Sequence, residues 1–185
     1  AVVVLQTRLW RQAGLDYLQG EIEQWLATHP VNVAEIGHYG HEYFTEAQCR
    51  ALLALGRVHE ALPLLTKLSE RAETEGRTGQ WLARQVWLAL ANEQMGKTAV
   101  ADQTLAAALK TAESEGYIRL FVDEGAPLAA LLQRQKAEGR SQIAYFDKLF
   151  NAFPPSLISH LQSQVQLVEP LSDRELEVLR LMANG

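Results

Sequence analysis

Apolar residues recur three and four positions apart along most of this chain, and glycines break the pattern at intervals. The stretch ALLALGRVHEALPLLTKLSERAETEG (Ala51 to Gly76) lies over ANEQMGKTAVADQTLAAALKTAESEG (Ala91 to Gly116) with an offset of 40 residues. Ala51, Gly56, Ala61, Leu65, Ala72, Glu73, Glu75 and Gly76 fall on Ala91, Gly96, Ala101, Leu105, Ala112, Glu113, Glu115 and Gly116 without a gap. A match that aligns both pairs of glycines marks an internal repeat. After each first glycine, positions such as Ala61, Leu65, Leu68 and Ala72 recur at helical spacing and define one buried face. Gly56 and Gly96 are therefore expected at left-handed turns between two antiparallel helices, a backbone region that glycine enters without steric cost. Gly76 and Gly116 are expected to end the second helices.

A weaker third copy comes earlier, with Gly14 as the hinge, Leu18, Ile22, Trp25 and Leu26 as the buried face, and His29-Pro30 as the stop. Beyond the repeats, YIRLFV reads as a short helix ended by Gly125, and a second helix is expected from Pro127 to Gly139. SQIAYFDKLFNAF reads as an amphipathic helix with Ile143, Phe146, Leu149, Phe150 and Phe153 on one side, halted by Pro154-Pro155. SLISHLQSQVQ then reads as a last short helix running into a linker. No strand pattern competes. The fold class expected is all-α: two-helix units that cannot close a core singly and bury their faces by stacking into a solenoid.

Composition narrows the reading rather than redirecting it. Of 185 residues, 48% are apolar and 21% charged, which suits a folded globular chain. The formal net charge of −5, with the basic residues scattered, gives no basic stripe for phosphate. Cys49 is the only cysteine, so no internal disulfide is possible and a cytoplasmic setting is expected. No apolar run approaches a membrane span, and AVVVL is too short for a signal-peptide core. A start on Ala1 and an abrupt end suggest an excised piece.

Candidate chemistry is sparse. Gly96-Lys97-Thr98 matches only the tail of a phosphate loop, lacks glycine at Ala91 and follows no strand, so it reads as a repeat hinge. His38, His41 and Glu42 in HYGHEYF lack the spacing of a zinc helix and read as a loop entering a helix. Asp123 and Glu124 are adjacent, diverge on a helix and read as solvated helix-end residues. Trp10, Trp25, Trp81 and Trp87 suit either core between repeats or a surface that stacks on a ligand ring. No catalytic residue and no metal site are assigned, and the chain is expected not to be an enzyme.

The pattern in LGRVHEALPLLTKL and MGKTAVADQTLAAA resembles the tetratricopeptide repeat, with 40 residues rather than the usual 34. That resemblance puts the small residue of the helix crossing on Cys49 and Ala89. Taken in order, LLALGRVHEALPLLTKL, AESEGYIRLFVDEGAPLAALLQ and LSDRELEVLRLMANG resemble the C-terminal half of the large ATP-dependent LuxR-type bacterial activators, the family of the maltose-regulon activator. In the last stretch Ser172 and Glu175 form a capping box, flanked by Leu171 and Leu176 at staple positions. Its helix is short and apolar over much of its circumference, as expected of the opening of a helix-turn-helix.

The resemblance implies a right-handed superhelical sensor domain over residues 1–160, a linker over 161–170, and over 171–185 the first helix of a truncated DNA-binding domain. It implies a small-molecule inducer or regulatory protein as partner and DNA contact only through the missing C-terminal domain. The recognition helix is absent, so no DNA-binding residue is assigned. It also implies ATP only for a missing N-terminal domain, no cofactor in this fragment, no membrane, and self-association in the parent. First-helix positions facing the concave side fall on Tyr43, Glu46 and Arg50 in one repeat and on Glu93 and Gln94 in the next. The rival expectation is a protein-interaction scaffold with no small-molecule ligand.

Overall fold

The computed structural model describes residues 17–30, 39–137 and 144–166, all helices and short links. In chain order the helices are α1 (Tyr17–Thr28), α2 (Tyr39–Ala54), α3 (Val58–Thr74), α4 (Thr78–Gln94), α5 (Thr98–Glu115), α6 (Arg119–Val122), α7 (Ala126–Ala137), α8 (Ala144–Ala152) and α9 (Pro155–Gln166). No strand occurs among the described residues. The chain divides into two compact units, Ala1–Ala152 and Phe153–Gly185. The first holds α1 to α8, and the described part of the second is α9. The expected Gly14 hinge, Trp10, His38, Gly139, Ile143 and the whole of LSDRELEVLRLMANG lie outside the described residues.

Three links in the first unit share one construction. Gly56, Gly76 and Gly96 stand 20 residues apart at φ of 72°, 66° and 72°. The residue after each glycine donates its N–H back five positions: Arg57 to Leu52 O at 2.8 Å, Arg77 to Ala72 O at 2.8 Å, Lys97 to Asn92 O at 2.9 Å. This is the Schellman closure, in which a left-handed residue satisfies the carbonyls that the helix end leaves open. Such a link turns the chain back within three residues, so consecutive helices pack along their length. The backbone repeats every helix, whereas the side-chain pattern repeats every second one.

Burial follows the expected stripe. Ala61, Leu65, Leu68 and Ala72 on α3, and Ala101, Leu105 and Ala112 on α5, are fully buried. Between them α4 buries Leu82, Val86, Trp87, Ala89 and Leu90, as a helix flanked on both sides must. Cys49 and Ala89 are both fully buried, as the helix-crossing positions require. On α1, Leu18, Ile22 and Leu26 are buried; the helix ends at Thr28, ahead of His29-Pro30.

Two details depart from the pattern. Pro63 sits inside α3, where it removes one helical donor, and it lies on the solvent side. Helix α7 opens at Ala126 rather than Pro127, directly after Gly125 at φ 66°, which leaves Pro127 in the first turn. Pro155 opens α9, where its missing N–H is no loss.

Candidate functional site

The polar residues of α2 lie four apart on one face, and each meets a partner from another helix. Glu42 is buried, its side chain 3% exposed, and it receives three guanidinium groups: Arg71 Nε at 2.8 Å, Arg77 Nη1 at 2.7 Å and Arg84 Nη2 at 3.4 Å. Arg77 also donates through Nη2 at 3.0 Å. Glu46, one turn on, binds Arg84 Nη2 at 2.6 Å. Arg84 is fully buried on α4 and donates through Nη1 to Leu68 O at 2.6 Å. Charge this deep is tolerated only when it is paired and hydrogen-bonded throughout. Here each carboxylate has guanidinium partners.

Arg50, a further turn along α2, lies over the Trp87 ring with its guanidinium carbon 4.2 Å from the centroid. Its Nη2 donates to Glu124 Oε1 at 3.0 Å, and Trp87 Nε1 donates to the same oxygen at 3.0 Å. The α6–α7 turn is thereby tied to both first helices of the repeats. At the other end of α4, Glu93 pairs with Arg134 of α7, whose Nη2 also reaches Asp102 Oδ1 of α5 at 2.8 Å. Gln135 donates to Asp102 O at 3.0 Å. These contacts form a polar ladder that runs α2, α4, α7 across the repeats.

The electrostatics follow from the pairing. Hydrogen bonds from Arg77 hold the Glu42 carboxyl below its ordinary value, against the upward push of burial and with help from the charges of Arg77, Arg84 and Arg71. Bonds from Glu93 keep Arg134 more firmly protonated than usual. Burial pushes the Cys49 thiol up to about 12, so it is held as a protonated packing residue. Among the described residues no group of three or more His, Cys, Asp or Glu side chains is placed to hold a metal ion.

The five residues singled out on the sequence divide accordingly. Glu46, Arg50 and Glu93 are members of the ladder. Gln94 is exposed, with its amide 3.4 Å from Leu53 O. Tyr43 is 54% exposed and stands beside Phe44, itself 39% exposed and near Trp25 and His29, with ring centroids at 5.3 and 5.5 Å. The expectation for Glu124 is corrected: it is 6% exposed, a buried anchor rather than a solvated helix end, because Arg50 and Trp87 offer it two donors. The Glu42 of HYGHEYF is in the ladder and within α2, whose start at Tyr39 lies close to the expected helix entry near His41. Arg71, Arg77, Arg84, Asp102 and Arg134 escaped the sequence reading. The one available signal was Arg84 amid the apolar run of WLARQVWLAL.

Stacked two-helix units with glycine-closed links and small residues at the crossings define a helical-repeat domain of tetratricopeptide type. The model of the MalT-like TPR region matches residues 1–138, and the chain belongs to that family. Comparison with the curated proteins and with the solved structures gave no match. No helix among the described residues is long and apolar enough to cross a membrane.

Proposed function

We propose that this chain is the effector-sensing regulatory domain of a bacterial transcriptional activator of the ATP-dependent LuxR type. The observation that carries the reading is the MalT-like TPR region over residues 1–138, joined to the LSDRELEVLRLMANG ending that resembles the start of a LuxR-type helix-turn-helix. On this reading the domain is non-enzymatic, cytoplasmic and a right-handed superhelix. It uses no cofactor of its own, ATP binds a separate N-terminal domain, and DNA is met only through a C-terminal one. An inducer or regulatory protein that favours one of two arrangements of the repeats shifts self-association and promoter binding by its difference in affinity for the two. The polar ladder suits such a coupling element, because it ties three helices through contacts with discrete partners.

The test is direct. Residues after Gly185 in the parent gene should complete a helix-turn-helix, and effector should change promoter affinity in the parent protein, read by fluorescence anisotropy. A different continuation sinks the transcriptional reading. The exposed aromatic pair Tyr43 and Phe44 favours a second reading, a protein-interaction scaffold without a small ligand. Saturable binding of a metabolite to the domain by calorimetry would exclude it.

A further inference from the structure

A second site candidate lies outside the ladder. A cleft of about 220 Å³ opens where the last turn of α3, the Gly76 link and the first turns of α4 meet α5, lined by Ala72, Glu73, Gly76, Thr78, Trp81 and Thr111. That volume is below the range of about 300–1,000 Å³ typical of drug-sized pockets and suits a fragment-sized molecule. Within its lining the Trp81 indole N–H is buried and has no acceptor. Buried donors in native proteins are nearly always satisfied, so an orphan beside a cleft points to a partner that the chain itself does not supply.

The internal repeat provides a control. At the 40-residue offset Ala72, Glu73 and Gly76 recur as Ala112, Glu113 and Gly116, while Trp81 is replaced by Phe121. Phe121 is fully buried and stands edge-on to Tyr145 with ring centroids 6.4 Å apart, so there the fold supplies an aromatic neighbour for the ring. In the earlier repeat Trp81 lines the cleft and carries an N–H without an acceptor.

Charge indicates what fits. Glu42, Glu46 and Glu75 are matched by Arg71, Arg77 and Arg84, three against three. Glu73 makes no ion pair among the described residues and is surplus. No cation lines the cleft. A carboxylate and an indole lining one cleft favour a cation over an anion, and tryptophan is the strongest aromatic partner for an ammonium. The unpaired N–H asks in addition for an acceptor.

We infer that this cleft binds a small organic amine carrying a carbonyl group, its ammonium held by Glu73 and the Trp81 ring and its carbonyl oxygen by the Trp81 N–H. Occupancy touches the ladder through the chain, since Ala72, Glu73 and Gly76 alternate with Arg71, Glu75 and Arg77. The inference does not depend on the transcriptional reading, because binding is measured on this chain without DNA.

Acetylcholine serves as the probe, and its uncharged carbon isostere dimethylbutyl acetate as the comparison. In a nitrogen-labelled sample of the full chain, the indole resonance lost in Trp81→Phe identifies Trp81. That resonance should move saturably with acetylcholine, and by calorimetry Trp81→Phe should weaken binding about three- to tenfold, the effect of one hydrogen bond. Glu73→Gln should weaken acetylcholine by a similar factor and leave the isostere unchanged. Circular dichroism checks that the variants fold, and phenylalanine is the residue the next repeat already uses. The inference is overturned if acetylcholine does not saturate, if either variant binds it as tightly as the unaltered chain does, or if the isostere binds equally well.

Discussion

Glu42→Gln is the sharpest probe of the ladder, because it keeps the volume and removes only the charge. Three short contacts change character, Arg71 Nε at 2.8 Å and Arg77 Nη1 and Nη2 at 2.7 and 3.0 Å. The Arg84 contact at 3.4 Å adds little. A hydrogen bond to a charged group contributes about 1.5–3 kcal/mol against about 1 for a neutral pair, so the exchange should remove about 2–4 kcal/mol. The guanidinium groups keep Glu75 and Glu46 as alternatives, which holds the loss below that of stranding unpaired buried charge.

The pH dependence has a definite sign. Glu42 is depressed in the folded state, so its stabilisation is fully present above the unfolded value, about 4.3 for glutamate, and fades as pH falls through the folded one. Urea unfolding of both proteins should give equal slopes, a midpoint gap near neutral pH, and a gap that closes as the pH drops below about 4. A loss under about 0.5 kcal/mol at neutral pH, within the range of ordinary surface substitutions, would refute the pairing as a source of stability. So would a gap that persists unchanged into acid.

Other predictions follow from single contacts. Gly96→Ala should destabilise by about 1–2 kcal/mol through backbone strain alone, since φ is 72° and an added Cβ meets nothing within 4 Å; a thermal melt checks it. Trp87→Phe removes a donor to the buried Glu124 and should lower stability by about 1.5–3 kcal/mol in urea titration, with Arg50→Met non-additive beside it in a double-mutant cycle. Cys49 should resist thiol reagents in the folded chain near neutral pH and react only on unfolding, because burial keeps it protonated and covered. Labelling at the same rate with and without denaturant would contradict that.

How much was legible differs between backbone and side chains. The hinges at Gly56 and Gly96, the buried stripe of α3 and the small residue at Cys49 are local consequences of sequence. A left-handed turn needs glycine, and a helix face needs apolar residues at its own period. Glu124 was misread, and the partners of Glu42 were missed, for the opposite reason. Each is an ordinary acidic residue beside its neighbours, and its meaning lies with partners 29 to 74 positions away along the chain. The spacing of Glu42, Glu46 and Arg50 by fours places them on one helix face but not against another.

The sequence by itself determined that the chain is helical, where it turns, and which faces are buried, since those depend on interactions within a turn or between adjacent helices. Only the tertiary structure decided which partners Glu46, Arg50 and Glu93 meet, Arg84, Glu124 and Arg134, and that the Trp81 N–H is left without a partner. Charge pairing is a property of approach. Two repeats must stack before Arg84 meets Glu46, and no local pattern encodes which of several acids it will meet.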